Sequence, residues 1–223
     1  MNIICLSASN TKLMGEKSAS TKVCHLIKEM ITEKSNDAKV EVVPLLQYNL
    51  IPCTFCGVCS KDGTCPFDND FNTVYEKIIK ADAVIIVTPY YSTIPVKLTM
   101  ILEKMNEIFY AGWLGNSKYI PPIYQKSFGI IGHGGMPETE QSLKYYHTNL
   151  ITPIANTLRG LGGTIVSVRD EFPNGTAFGL ENENCIKNSE TQIFPEITQN
   201  YEKISQSIEP LVHKIISKIA QEL

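Results

Sequence analysis

The chain has 223 residues and a mass of 24.9 kDa, with 43% hydrophobic and 19% charged residues, which fits one folded domain with a core large enough to need no disulfide staples. Twenty basic against 23 acidic side chains leave a net charge of −3, and the only arginines are Arg159 and Arg169, so nucleic acid is not an expected partner. The longest aliphatic run, Ala83–Val87, is far short of the ~20 residues of a membrane span, and the apolar start Ile3–Leu6 lacks the basic lead of a signal peptide. The expectation is a cytoplasmic protein with no membrane partner.

Periodicity alternates along the chain between strand and helix. Asn2–Leu6 reads as a short buried strand, and Val23, Leu26, Ile27, Met30 and Ile31 mark one face of a helix. Lys39–Leu45 returns to strand, and Phe71–Lys80 is a short helix with Val74, Ile78 and Ile79 inward. Ala83–Thr88 is apolar without alternation, as expected of a central parallel strand covered on both faces. Leu98, Ile101, Leu102, Met105, Ile108 and Phe109 give the next helical stripe, and Ser127–Gly132 a fourth strand. A fourth helix runs from Leu143 to Leu161 with a kink near Pro153, Thr164–Val168 is a fifth strand, and Ile208–Ile219 lines a closing helix. The pattern predicts a single α/β domain over residues 1–223: a three-layer sandwich with a five-stranded parallel sheet and helices on both faces. Two stretches stand outside it, a cysteine-rich insertion at 47–70 and a polar excursion at 171–192.

In open parallel sheets ligands sit beyond the carboxyl ends of the strands. After strand one come Ser7, Ala8, Ser9 and Asn10, then Ser18, Ser20 and Thr21 at a helix start. There is no G-x-G-x-x-G and no P-loop. Hydroxyls and free N–H groups at a helix N-terminus suit a phosphate monoester, and Ser18 or Ser20 reads equally well as an N-cap. After strand three come Thr88, Pro89, Tyr90, Tyr91, Ser92 and Thr93, with two adjacent aromatics suited to a flat ligand or to packing under a loop. After strand four come His133, Gly134, Gly135 and Glu138, where paired glycines allow close backbone approach and a helix then starts. His133 reads as a loop residue near the ligand rather than a base.

These three loops, in this order over about residues 2–168, resemble the flavodoxin-like flavin reductases, the NADPH-dependent FMN reductase family. The resemblance implies that Ser9, Ser18, Ser20 and Thr21 hold the FMN phosphate. It further implies that Thr88, Pro89, Tyr90, Tyr91, Ser92 and Thr93 hold the isoalloxazine edge, with Gly134, Gly135 and Glu138 flanking it. The first loop departs from the family pattern, opening Ser7-Ala8 rather than Gly-Ser and running several residues longer.

Of seven cysteines, Cys53, Cys56, Cys59 and Cys65 stand in the spacing C-x2-C-x2-C-x5-C, followed by Pro66. In a reducing compartment such a cluster reads as metal or redox chemistry. Two x2 gaps in succession suit the separate iron corners of a cubane, while free thiols or a single zinc remain alternatives. Cys5 and Cys24 read as inert packing residues and Cys185 is unassigned. The motif and its place after strand two resemble the iron–sulfur flavoprotein branch of the same family, which implies a [4Fe–4S] cluster on these four cysteines beside FMN.

The resemblance thus implies an oxidoreductase that moves electrons between NAD(P)H or a ferredoxin-like donor, FMN, the cluster and a small-molecule or protein acceptor. A homodimer or homotetramer is implied as well, with Phe109, Tyr110, Trp113 and Tyr119 reading as a lid, a subunit contact or ordinary packing. No acid–base residue is nominated, because the chemistry belongs to the cofactors. A cluster-free NAD(P)H-dependent flavin or quinone reductase is the alternative enzyme. A flavodoxin-like electron carrier is the non-enzymatic one, disfavoured by the modest charge. One phosphate site and no pyrophosphate fingerprint predict that FMN rather than FAD co-purifies. Mass spectrometry of the released flavin checks this, and FAD as the dominant species contradicts it.

Overall fold

The computed structural model describes residues 1–11, 15–35, 37–181 and 201–222. Its sheet contains β1 (Asn2–Ser7), β2 (Lys39–Pro44), β3 (Ala83–Pro89), β4 (Ser127–Pro137), β5 (Thr164–Val166) and β6 (Thr176–Glu181). All pair in parallel in the order β2-β1-β3-β4-β5, with β6 also on β4. This is the flavodoxin-like order, in which the chain switches direction between β1 and β3 and opens a crevice at their carboxyl ends.

Period-two alternation in the strands assigns the layers. Ile3 and Cys5 of β1, with Ala83, Ile85 and Val87 of β3, pack against α1 (Ala19–Lys34) on one face. There they also meet the closing helix, Tyr201–Glu222. Ile4, Leu6, Val84 and Ile86 face the opposite layer, made by α2 (Asn69–Lys80), α3 (Val96–Gly115) and α5 (Thr152–Gly160). With α4 (Glu140–Tyr146) counted, the closing helix is α6. Strand β3 is buried along its whole length, as its unbroken apolar run requires. Among the described residues no helix is long and apolar enough to cross a membrane.

The structure refines one expectation, the kink near Pro153, and corrects two others. The fourth helix is interrupted by a π-helical turn, His147–Ile151, immediately before Pro153, whose missing N–H cannot continue the α ladder. Strand β4 runs on to Pro137, so Gly134 and Gly135 lie in a strand rather than in a loop beyond it. The polar excursion is the second correction. Its described part contains β6, which pairs with Ile131–Pro137 of β4 and buries Phe178 and Leu180, giving a sixth strand. Residues 182–192, including Cys185, lie outside the described residues.

Strands β5 and β6 share one edge of β4: β5 covers Ser127–Gly129 and β6 the remainder, with residues 167–175 looping out between them. The chain rejoins the sheet at Gly175, where φ is +146° and a Cβ would stand 2.3 Å from the Ile130 carbonyl oxygen. Only glycine fits there. Because Phe178 is fully buried, Phe178→Ala is expected to cost about 3–5 kcal/mol in denaturant unfolding. A cost under about 0.5 kcal/mol would instead mark the segment as surface.

Candidate functional site

The first loop leaves β1 at the switch point. Ser18 caps α1, its Oγ accepting from the Thr21 N–H at 3.4 Å, as one of its two sequence readings anticipates. Ser20 and Thr21 are buried and already engaged. The Thr21 hydroxyl lies 2.9 Å from the Ser7 hydroxyl, and the Ser20 hydroxyl lies 2.8 Å from His133 Nε2. The hydroxyls nearer the crevice are Ser9 and Thr11, 3.3 Å and 2.9 Å from the Tyr91 hydroxyl. Between them Asn10 Oδ1 is buried without a hydrogen-bond partner, a group that a bound ligand would satisfy.

The second loop continues β3. Thr88 is buried, and the Tyr90 N–H donates to the His133 carbonyl at 2.7 Å, extending the β3–β4 ladder past Pro89. The two tyrosines then diverge. Tyr90 packs edge-on to Tyr145, centroids 5.3 Å apart at 88°, with their hydroxyls 2.9 Å apart, while Tyr91 reaches back to the first loop. Ser92 adopts a left-handed φ of 64° at the turn, and the Thr93 hydroxyl is spent on the Ile94 carbonyl.

On the β4 side the two glycines have different reasons. A Cβ on Gly134 would meet the Tyr146 hydroxyl at 2.4 Å, so that glycine serves packing, whereas Gly135 faces open space. Glu138 ties the strand end down: its Oε2 accepts from the Gly179 N–H at 3.3 Å and lies 3.7 Å from Lys203 Nζ. His133 is buried, stacked on Phe178 at 5.3 Å, and its Nδ1 has no partner. Burial pushes its pKa down to about 3, which favours the neutral ring.

The cysteine segment follows β2 and is pinned at both ends. Lys97 Nζ donates to the carbonyls of Leu45, Leu46 and Tyr48 where the chain leaves β2. Asp68 caps α2 through the Phe71 N–H at 2.8 Å, accepts from the Ile51 N–H at 3.0 Å, and bonds the ammonium of Lys104. Burial opposes ionisation of Asp68, but the bond from Lys104 and those from the two backbone N–H groups outweigh it and hold the carboxyl below the usual range. Asn72 brackets Cys65, accepting from its N–H and donating to its carbonyl, both at 2.8 Å. On either side of Cys56 the backbone turns left-handed, at Phe55 (φ 52°) and Gly57 (φ 71°). For Phe55 that conformation is costly, and such strain concentrates at functional sites.

All four cysteines line one cavity of about 70 Å³ together with Phe71, Lys104, Glu107 and Ile108. Burial, then the neighbouring Cys53 and Cys56, push the Cys59 thiol up. Among the described residues no three Cys, His, Asp or Glu side chains converge closely enough to grip one metal ion. Tetrahedral thiolates on a single zinc lie only about 3.8 Å apart, from ~2.3 Å bonds. Cys5 and Cys24 are wholly buried, the first thiol pushed up to about 12 and the second well above its ordinary value, which leaves both inert as expected.

The family model for NADPH-dependent FMN reductase matches residues 1–156. The chain belongs to that family. An iron–sulfur flavoprotein of Methanocaldococcus jannaschii is 26% identical over 81 residues, 35% of this chain and 42% of that protein. An iron–sulfur flavoprotein of Methanosarcina thermophila is 28% identical over 72 residues, 32% and 38% of the two chains. The chain thus spans less than half the length of these curated relatives. Two solved structures share the fold. An azoreductase from Bacillus anthracis has a TM-score of 0.56 at 15% identity and 99% coverage of each chain. An NADH:FMN oxidoreductase in its apo form has a TM-score of 0.55 at 12% identity, covering 97% of this chain and 89% of that one.

Against this family background, sequence reasoning missed Thr11, Tyr145, the bond between His133 and Ser20, and the Asp68–Lys104 pair. Lys104 did leave a signal. It falls three residues after Ile101 and four before Ile108, inside the apolar stripe, where a charge must find a buried partner. The His133 result has a pH consequence. Its folded pKa lies below the ordinary 6.5, so the unfolded chain binds the extra proton and stability falls as pH drops from about 6.5 toward 3. Over that window the loss is at most about 1.4 kcal/mol per pH unit. His133→Asn is expected to flatten this slope in urea melts at pH 4–7, and an unchanged slope contradicts the assignment.

Proposed function

We propose that the chain is an FMN-dependent oxidoreductase that draws electrons from NAD(P)H or a ferredoxin-like donor. Its route onward to a small-molecule or protein acceptor includes a [4Fe–4S] cluster on Cys53, Cys56, Cys59 and Cys65. FMN, when bound, supplies acceptance of an electron pair and donation of single electrons. The chain's own residues supply position. Ser9, Thr11 and the start of α1 offer hydroxyls and N–H groups for a phosphate, and the unpartnered Asn10 Oδ1, an acceptor, supports a hydroxyl donor of the ligand beside it. Ser18, Ser20 and Thr21 hold the first turn of α1 in place through their buried bonds. Thr88, Pro89, Tyr90, Tyr91, Ser92 and Thr93 border the ring side of the crevice, with Gly135 open opposite and Gly134 and Glu138 fixing that edge.

The observation that carries the cluster reading is that one short loop brings four thiols around one cavity. Four free thiols that do not converge on a point among the described residues favour, as a second reading, a cluster-free reductase whose cysteines stay reduced. A contact between subunits is supported by the exposed, stacked pair Tyr110 and Trp113, with Phe109 against Tyr119 beneath it.

Iron, sulfide and flavin analysis of protein purified without oxygen decides between the two. The expected result is near four irons and one FMN per chain. Cys59→Ala should lose the iron and keep the flavin. Stoichiometric FMN without iron or acid-labile sulfide, or one zinc per chain, moves the assignment to the cluster-free enzyme.

A further inference from the structure

Lys104 and Asp68 form an ion pair whose side chains are only 4% and 2% exposed. A buried pair of this kind seldom adds stability, because desolvating both charges costs as much as their attraction returns. Its placement therefore calls for another reason. Asp68 is fully committed: it caps α2, holds the Ile51 N–H at the start of the cysteine segment, and accepts from Lys104. Lys104 has capacity left. An ammonium carries three donors, and this one has a single carboxylate bond and a Phe71 ring 5.4 Å away. Lys104 also lines the cavity ringed by the four cysteines, and Asp68 does not. The other charge in the cavity wall, Glu107, is partly exposed, so solvent screens it more than the buried ammonium.

We infer that Lys104 is a positioning residue for a thiolate-ligated, net-anionic centre: a fixed positive charge in the cavity wall, oriented by Asp68, that stabilises the more negative, reduced form. The inference rests on the cluster reading above. It requires no change in the flavin loops, which leave β1, β3 and β4, whereas Lys104 sits on α3. One electron from the titrant, dithionite, enters the cluster and no proton or bond need move, so charge alone sets the direction of each shift.

The test is a spectroelectrochemical titration of anaerobically purified holoprotein, with iron release to a chelator as a second readout. Asp68→Asn keeps one oxygen for the Phe71 N–H cap, gives up the one that accepts from Ile51 and Lys104, removes the compensating charge, and should raise the cluster's midpoint potential. The double variant D68N/K104M removes both charges, should fall below the wild type in potential, and should lose iron several-fold faster. Lys104→Arg keeps the charge and should stay near the wild type. Shifts of the two Asp68-containing variants in the same direction overturn the inference. So does a double variant with wild-type potential and iron loss, or a Lys104→Arg shift as large as that of the double variant. If the double variant is purified without iron, Lys104→Arg decides: iron retained there supports the charge role, and iron lost there overturns it. An iron-free wild type sinks the cluster reading and this inference together. An iron-bearing wild type with any overturning result above sinks this one alone.

Discussion

A strand buried on both faces has no water to satisfy its backbone, so every N–H and C=O along it must meet a neighbouring strand. Strand β4 shows the constraint most plainly. It is longer than β5 can cover, and the edge beyond Gly129 would be left unpaired. The chain meets that need by looping out after β5 and returning as β6, with Gly175 the one position where the backbone passes too close to Ile130 for any side chain. The return also carries Phe178 under His133, and so reaches the floor of the crevice.

That crevice is held by contacts between strand ends rather than by any single loop. His133 gives its carbonyl to Tyr90 and its ring nitrogen to Ser20, linking the β3 turn, the β4 end and the first turn of α1. Tyr91 adds a second link through Thr11 and Ser9. The glycine at 134 exists for the ring of Tyr146, whose hydroxyl in turn accepts from the Met136 N–H at 2.9 Å. A change at any of these positions would be felt across the site, since packed, hydrogen-bonded groups transmit displacement rather than absorb it.

The cysteine segment follows a different logic. It has little regular structure of its own, one short 3-10 turn at Val58–Ser60, and takes its shape from three carboxylates and an amide on the helices beside it. Asp68 and Asp70 hold the N–H groups of Ile51 and Asn49, Glu103 lies 3.4 Å from that of Cys53, and Asn72 grips Cys65. A loop fixed at its ends and strained at Phe55 is a preformed cavity, not a flexible tether.

Much of this was open to reading from local pattern. Strand and helix differ in the period at which apolar residues meet the core, so the alternating α/β order, the buried β3 and the helical faces follow from short windows of sequence. The cysteine spacing and the first two crevice loops were equally visible, because each motif is contiguous, whereas the glycines of the third segment read as a loop but continue strand β4. Strand β6 was hidden by the Asn, Gly and Glu around it: six residues in a polar stretch carry too little periodicity to outweigh their neighbours. The pairings Ser9–Tyr91, Ser20–His133 and Asp68–Lys104 bridge 82, 113 and 36 residues. No local rule reaches across such distances. They exist because right-handed crossovers bring the ends of β1, β3 and β4 side by side and lay α3 over the start of α2, and only the assembled sheet decides which side chains then meet.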